Sequence, residues 1–237
     1  MQRILSYMRK AIEDYNMIEE GDKIAVALSG GKDSISMLMG LKALQRFYPK
    51  KFDLIAISIN PGFEFFDKNL LENTCKKVEV PLFIEDTNIK EIVFDVRHEK
   101  NPCSLCANFR RGALNSVAIR EECNKIALGH NEDDVLETFL LNLLYTGSIN
   151  TFSPVSYMDR SKMTLIRPLI YTPEKYIKSF IKKNNIEIMN KVCPMDGVSK
   201  REYMKKMIKD LIIDIPHIKA NLFGAIKRNI KEWKRPE

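Results

Sequence analysis

Short apolar runs alternate with stretches whose apolar residues recur at helical spacing along most of the chain. KIAVAL (Lys23 to Leu28) is a run of strand length with β-branched residues and predicts a buried strand. Two glycines follow, then SISMLMGLKALQRF with a helical pattern. FDLIAISI (Phe52 to Ile59) predicts a second strand, FDKNLLENTCKKV a helix, and PLFIED (Pro81 to Asp86) a third strand. A long loop is expected to carry KNPCSLC, and a helix from about Asn108 to Glu121 leads to a fourth strand, KIALGH (Lys125 to His130). NEDDVLETFLLNLLYTG predicts a helix closed by Gly147. MTLIRPLI (Met163 to Ile170) predicts a fifth strand, and TPEKYIKSFIKKNN a helix opened by a cap and a proline. The remainder is helical in pattern, with turns near Asp196-Gly197 and Pro216.

Strands alternating with helices of this length predict an α/β fold, a doubly wound and mostly parallel five-stranded sheet covered on both faces. The expected organisation is a helical N-terminal segment over residues 1–20, an α/β domain over 21–190 and a helical C-terminal extension over 191–237. Ligands of such sheets bind at the carboxyl ends of the strands. That rule gathers SGGKDS (Ser29 to Ser34), Ser58 to Asn60, the CxxC loop and GHNEDD (Gly129 to Asp134) at one edge.

Hydrophobic residues make up 45% and charged residues 29% of the chain, the balance of an ordinary globular protein. No window is apolar enough to cross a membrane, and the N-terminus lacks the apolar core of a secretion signal, so a cytoplasmic location is expected. The net charge of +7 is concentrated late: from Ser199 to Glu237 eleven Lys/Arg face five Asp/Glu. A solvated helical face and a polyanion-binding surface both account for that excess. Five cysteines without a secretion signal argue against a disulfide framework. Cys75 and Cys123 read as small core residues.

The loop after the first strand is not a Walker A loop, because Gly31-Lys32 precedes Asp33 and the earlier glycine position is Val26. The dinucleotide pattern also fails, since only Gly30 and Gly31 are present. What remains is a strand, a tight Ser-Gly-Gly turn and a helix starting near Asp33, which is an anion site of main-chain N–H groups and helix dipole. The glycines permit close approach, Ser29 and Ser34 add hydroxyls, and Lys32 adds charge.

SGGKDS resembles the signature of the PP-loop family, the N-type ATP pyrophosphatases, which cleave ATP between the α- and β-phosphates and transfer AMP to a substrate oxygen. GMP synthetase, lysidine synthetase, the argininosuccinate synthetases and the tRNA thiolases share it. On spacing alone, Cys103-Ser104-Leu105-Cys106 with the late Cys193 leaves three arrangements open: a redox pair, a zinc site completed by His98 or an aspartate, or three thiolates on an iron–sulfur cluster with one open iron. PCSLCANFRR, GHNEDDVLETFLLN, Arg167-Pro168-Leu169, Pro61-Gly62-Phe63 and the single late cysteine are together similar to the tRNA 2-thiocytidine synthetase family, over about residues 1–215. The related 2-thiouridine synthetases carry zinc-binding CxxC pairs at both ends, which this chain lacks.

That resemblance implies ATP, Mg²⁺ and a [4Fe-4S] cluster. It implies that Ser29, Gly30, Gly31, Lys32, Asp33 and Ser34 hold pyrophosphate, that the backbone of Ile57, Ser58 and Ile59 meets adenine, and that Gly129 and His130 border the nucleotide. It implies that Asp133 and Asp134 serve Mg²⁺ or catalysis, that Arg110 and Lys32 are catalytic cations, and that Cys103, Cys106 and Cys193 ligate the cluster, with Arg167 nearby. Without it, Asp133 and Asp134 are acids favoured in a first helical turn, and Arg110 and Arg111 are solvated surface. The implied enzyme is an ATP-dependent tRNA sulfurtransferase that adenylates a pyrimidine C2 oxygen in the anticodon loop and replaces it with sulfur. Its partners are tRNA, a sulfur donor such as a cysteine desulfurase, and a second copy of the chain. The rivals are a 2-thiouridine synthetase, a cluster-free ligase of the lysidine synthetase type, and a noncatalytic RNA-binding or iron–sulfur sensor module.

Overall fold

A computed structural model describes residues 1–64, 66–96, 102–189 and 200–236. Cys193, His98 and the turn near Asp196-Gly197 lie outside the described residues. Strands β1 (Asp22–Ala27), β2 (Phe52–Asn60), β3 (Leu82–Asp86), β4 (Lys125–Ala127), β5 (Val155–Met158) and β6 (Met163–Ile166) form one sheet in the order β3-β2-β1-β4-β6-β5. All neighbours run parallel except β5 and β6.

The expected count of five strands is corrected to six. The extra strand, β5, is the short edge sequence Val-Ser-Tyr-Met, with no buried residue, so neither an apolar run nor a clear alternation announced it. The strand predicted from Met163 to Ile170 stops at Ile166, because Pro168 brings no N–H to a ladder and the chain turns with Ile170 N donating to Arg167 O at 3.1 Å.

Helices α1 (Gln2–Asp14), α2 (Lys32–Leu44), α3 (Lys68–Val78), α4 (Pro102–Arg120), α5 (Glu132–Thr146), α6 (Glu174–Lys183), α7 (Lys200–Asp214) and α8 (Ile218–Asn229) cover the two faces unequally. One apolar core joins α1, α2, α3, α5, α6, α7 and α8, from Ile4 and Met8 to Met204, Ile208, Ile226 and Trp233. Tyr15 ties the two ends of the chain together, donating from its hydroxyl to Trp233 O at 3.1 Å. On the opposite face α4 and a π-helical turn at Glu91–Val96 pack on Ile55, Ile57, Ile126 and Leu165. With little more than one helix on that face, a cleft opens between α4 and the carboxyl ends of the strands.

Candidate nucleotide site and cysteine helix

The loop SGGKDS leads from β1 into the first turn of α2. Gly30 takes φ +75°, a left-handed conformation in which a side chain is strained. The Ser34 hydroxyl accepts from Ser29 N at 3.2 Å and donates to Gly31 O at 3.0 Å, bracing the turn. Gly31 is the N-cap of α2 and supplies no side chain, so the N-terminus of α2 has no side-chain cap. Gly129 lies against this turn so closely that a Cβ there would stand 3.2 Å from Ser34 N and 3.3 Å from the Asp33 carbonyl carbon.

Beside the loop a cleft of about 300 Å³ is walled by Ala27, Ile57, Ile59, Leu128 and Leu165 of the sheet and by Ala107, Arg110, Arg111, Leu114 and Asn115 of α4, with Ser29 and His130 at its edge. Strand alternation separates Ile57 and Ile59 from Ser58, which is buried on the other face with no hydrogen-bond partner for its hydroxyl among the described residues. Among the described residues the lining contains cations and no carboxylate. Burial first, then the charges of Arg167, Arg201 and Arg111, push the His130 imidazole down to about 3, so it is neutral at pH 7. Its ring stands 4.6 Å from that of Phe152, and its Nδ1 has no hydrogen-bond partner among the described residues. Arg167 lies over the Phe152 ring at 5.2 Å and donates to Ser153 O at 2.6 Å and Ser156 Oγ at 3.2 Å. Burial and the neighbouring Arg111 lower it to about 10, which leaves it charged. Arg167 is thus near the site, bracing the β5 side.

Lys32, Asp33, Asp133 and Asp134 form a second cluster at the helix starts. Lys32 Nζ stands 2.5 Å from Asp33 Oδ2 and 3.1 Å from Glu174 Oε1. Glu174 also accepts from Lys178 at 2.7 Å and Lys205 at 3.3 Å. Asp33 accepts from Asn131 Nδ2 at 3.0 Å. Asn131 and Asp134 form a capping box at the start of α5, with Asp134 Oδ2 accepting from Asn131 N at 2.9 Å. Asp133 accepts from Glu174 N at 2.7 Å and from Lys219. Burial would raise the Glu174 carboxyl, but its bond to Lys178 and the charges of Lys32 and Lys205 prevail and hold it down at about 2. Glu174, Lys205 and Lys219 escaped the sequence reading: Glu174 stands at a helix start, where an acid is ordinary, and its partners are distant in sequence.

The cysteine pair lies on a helix, not in the expected loop. Pro102 is the first residue of α4, a position that favours proline, so PCSLC opens the helix about six residues before the predicted start at Asn108. Cys103 is exposed and Cys106 half-buried. Three residues apart, they share a face of the first turns. Arg110 follows Cys106 by about one turn and lines the cleft with Arg111. Among the described residues no group of three His, Cys, Asp or Glu is arranged to hold a metal. Met189, four residues before Cys193 in sequence, donates from its main-chain N to Gly30 O at 2.8 Å. Cys75 and Cys123 are core residues, and burial pushes both thiols up to about 11.

Part of the late positive charge is used inside the fold. Besides Lys205 and Lys219, Arg201 lies 3.9 Å from Asp134, and Arg235 pairs with Asp14 at 2.9 Å. Lys206, Lys209, Arg228, Lys231 and Lys234 remain exposed. No helix among the described residues is long and apolar enough to cross a membrane.

Residues 2–211 match a family described as the PP-loop domain. The tRNA-cytidine(32) 2-sulfurtransferase of Syntrophotalea carbinolica is 39% identical over 228 residues, covering 95% of this chain and 88% of that protein. The protein of the same description from Geotalea uraniireducens is 38% identical over 227 residues, covering 94% and 90%. Among solved structures, the U34-tRNA thiolase NcsA from Methanococcus maripaludis with its [4Fe-4S] cluster aligns with a TM-score of 0.75 at 26% identity, over 94% of this chain and 77% of that one. A phosphoadenylyl-sulfate reductase from Candida auris aligns with a TM-score of 0.51 at 11% identity, over 78% and 81%, and shares the fold alone.

Proposed function

The chain belongs to the PP-loop family that includes the tRNA-cytidine(32) 2-sulfurtransferases, and from that membership we propose that it replaces the C2 oxygen of a cytidine in a tRNA anticodon loop with sulfur. It is an ATP-dependent tRNA thiolase. One observation carries the proposal: α4 bears the cysteine pair at its start and, a turn later, puts Arg110 and Arg111 into a cleft edged by Ser29 of the anion loop.

The chemistry explains why such groups belong together. A pyrimidine C2 oxygen is a poor leaving group. Attack by that oxygen on the α-phosphorus of ATP forms a C2–O–AMP linkage and breaks the bond to pyrophosphate. A sulfur nucleophile then adds at C2, and the C2–O bond breaks to release AMP. The free N–H groups at the start of α2 and the braced Ser-Gly-Gly turn are suited to stabilise the departing pyrophosphate. Ile57 and Ile59 offer an apolar wall to adenine, and Arg110 and Arg111 meet the charge that develops at the α-phosphate. His130, neutral at pH 7, offers a hydrogen bond without a charge. Asp133 and Asp134, at the start of α5, carry carboxylate oxygens of the kind that suits the Mg²⁺ accompanying ATP.

Two thiols on one helical face, beside the cleft, fit a cluster's donor set. Cys103, Cys106 and Cys193 would hold a [4Fe-4S] cluster with one iron left for sulfur, and the cluster would supply the sulfur chemistry of the reaction. The RNA presents an unpaired base that can be splayed out, with phosphates against the exposed lysines and arginines of α7, α8 and the chain end. The test is Cys193→Ala in anaerobically prepared protein. The expected result is retained ATP binding, reduced iron content and no sulfur transfer; full thiolation by the variant would refute the assignment.

A further inference from the structure

At the start of α6, Glu174 stands at the centre of a charge cluster, and the thiolation chemistry above gives Glu174 itself no role. Its carboxylate reaches Lys32 at 3.1 Å, Lys178 at 2.7 Å and Lys205 at 3.3 Å. Its main-chain N is held by Asp133 at 2.7 Å. The residue is buried, at 9% exposure, so it is fixed from both its backbone and its side chain.

Lys32 is the lysine of the anion loop, a flexible four-carbon stem ending in a compact charge with three donors. Asp33 and Glu174 take two of those donors from either side. That leaves one N–H for a phosphate oxygen and fixes its direction. The charges also balance suitably. Lys32, Lys178 and Lys205 bring three ammoniums against the carboxylates of Asp33 and Glu174, so this group keeps one positive charge. A single carboxylate shared among three lysines orients the loop lysine without cancelling the attraction for an anion.

We propose that Glu174 is the positioning residue of the nucleotide loop: it acts through Lys32, holding the ammonium where it meets the phosphates of ATP. The proposal rests on the reading that this loop binds ATP. Lys205 extends the arrangement to α7, so the helix that follows the Cys193 stretch in sequence shares the carboxylate that orients the loop lysine.

The test is a double-mutant cycle on the full chain, titrating ATP into wild type, Glu174→Gln, Lys32→Met and the double variant, with a thermal melt of each. Glu174→Gln is expected to weaken ATP binding about tenfold. In the Lys32→Met background the same change is expected to have no effect on binding, because the residue it positions is gone. Glu174→Asp, which keeps the charge on a shorter stem, is expected to recover part of the lost affinity. A merely structural role would lower the melting temperature and weaken binding equally in both backgrounds, and that result would overturn the proposal. Unchanged ATP affinity in Glu174→Gln would overturn it while leaving the nucleotide loop intact. A wild-type chain that binds no ATP would overturn the nucleotide reading itself, and this inference with it.

Discussion

The main-chain N of Met189 donates to the carbonyl of Gly30 at 2.8 Å, and the Met189 side chain fills the space that a side chain at residue 30 would need. Met189 therefore walls the Ser-Gly-Gly turn at Gly30. The relationship depends on glycine twice, through φ +75° and through a would-be Cβ only 2.8 Å from Met189 Cβ.

Gly30→Ala tests that dependence. The left-handed backbone alone costs about 1–2 kcal/mol with a Cβ present, and Met189 must also move. A lower melting temperature and at least a tenfold loss of ATP affinity are expected from calorimetry and titration. Wild-type affinity would show that the loop tolerates a different turn.

Gly129→Ala acts on the same loop from the segment that follows β4. Its Cβ would press on backbone atoms of Asp33 and Ser34 at 3.2–3.4 Å, which yield less readily than a side chain. The expected outcome is a several-fold rise in KM for ATP with a smaller change in kcat, read from steady-state AMP release.

Glu137 is buried in α5, and burial, aided by the charge of Asp134, raises its carboxyl to about 7. A carboxyl raised in the folded state favours folding in its protonated form. Its contribution therefore declines as pH climbs from its unfolded pKa near 4.5 toward 7. Replacing it by glutamine removes that decline, worth on the order of 3 kcal/mol by pH 8. Urea unfolding at pH 5 and pH 8 checks it: the variant gains on wild type at pH 8 and much less at pH 5. Equal gains at both would contradict the assignment.

The cysteines should separate by chemistry. In metal-free protein at pH 7.5, iodoacetamide is expected to modify exposed Cys103 early. Buried Cys75 and Cys123, with thiols near 11, are expected to react only on unfolding. Peptide mass spectrometry reads the order, and early labelling of Cys75 would contradict the packing.

Much of this site was legible in the chain because strand ends and glycine turns are local signals. KIAVAL followed by SGGKDS announces a strand, a turn and a helix start within twelve residues, and α2 begins at Lys32, beside the expected Asp33. What stayed hidden was decided by tertiary context. The strand at Val155–Met158 exists because β6 offers an edge. The cysteines join α4 because Pro102 starts a helix instead of a loop. Glu174 meets Lys32 across more than a hundred residues, a pairing that no local pattern encodes.

The central claim is that this chain places sulfur on a tRNA cytidine. Nucleoside mass spectrometry of tRNA from cells lacking the gene, with and without the gene restored, addresses it directly. The account predicts that 2-thiocytidine is absent without the gene and returns with it, but not with a Cys106→Ala copy. Unchanged 2-thiocytidine in the deletion strain would contradict it.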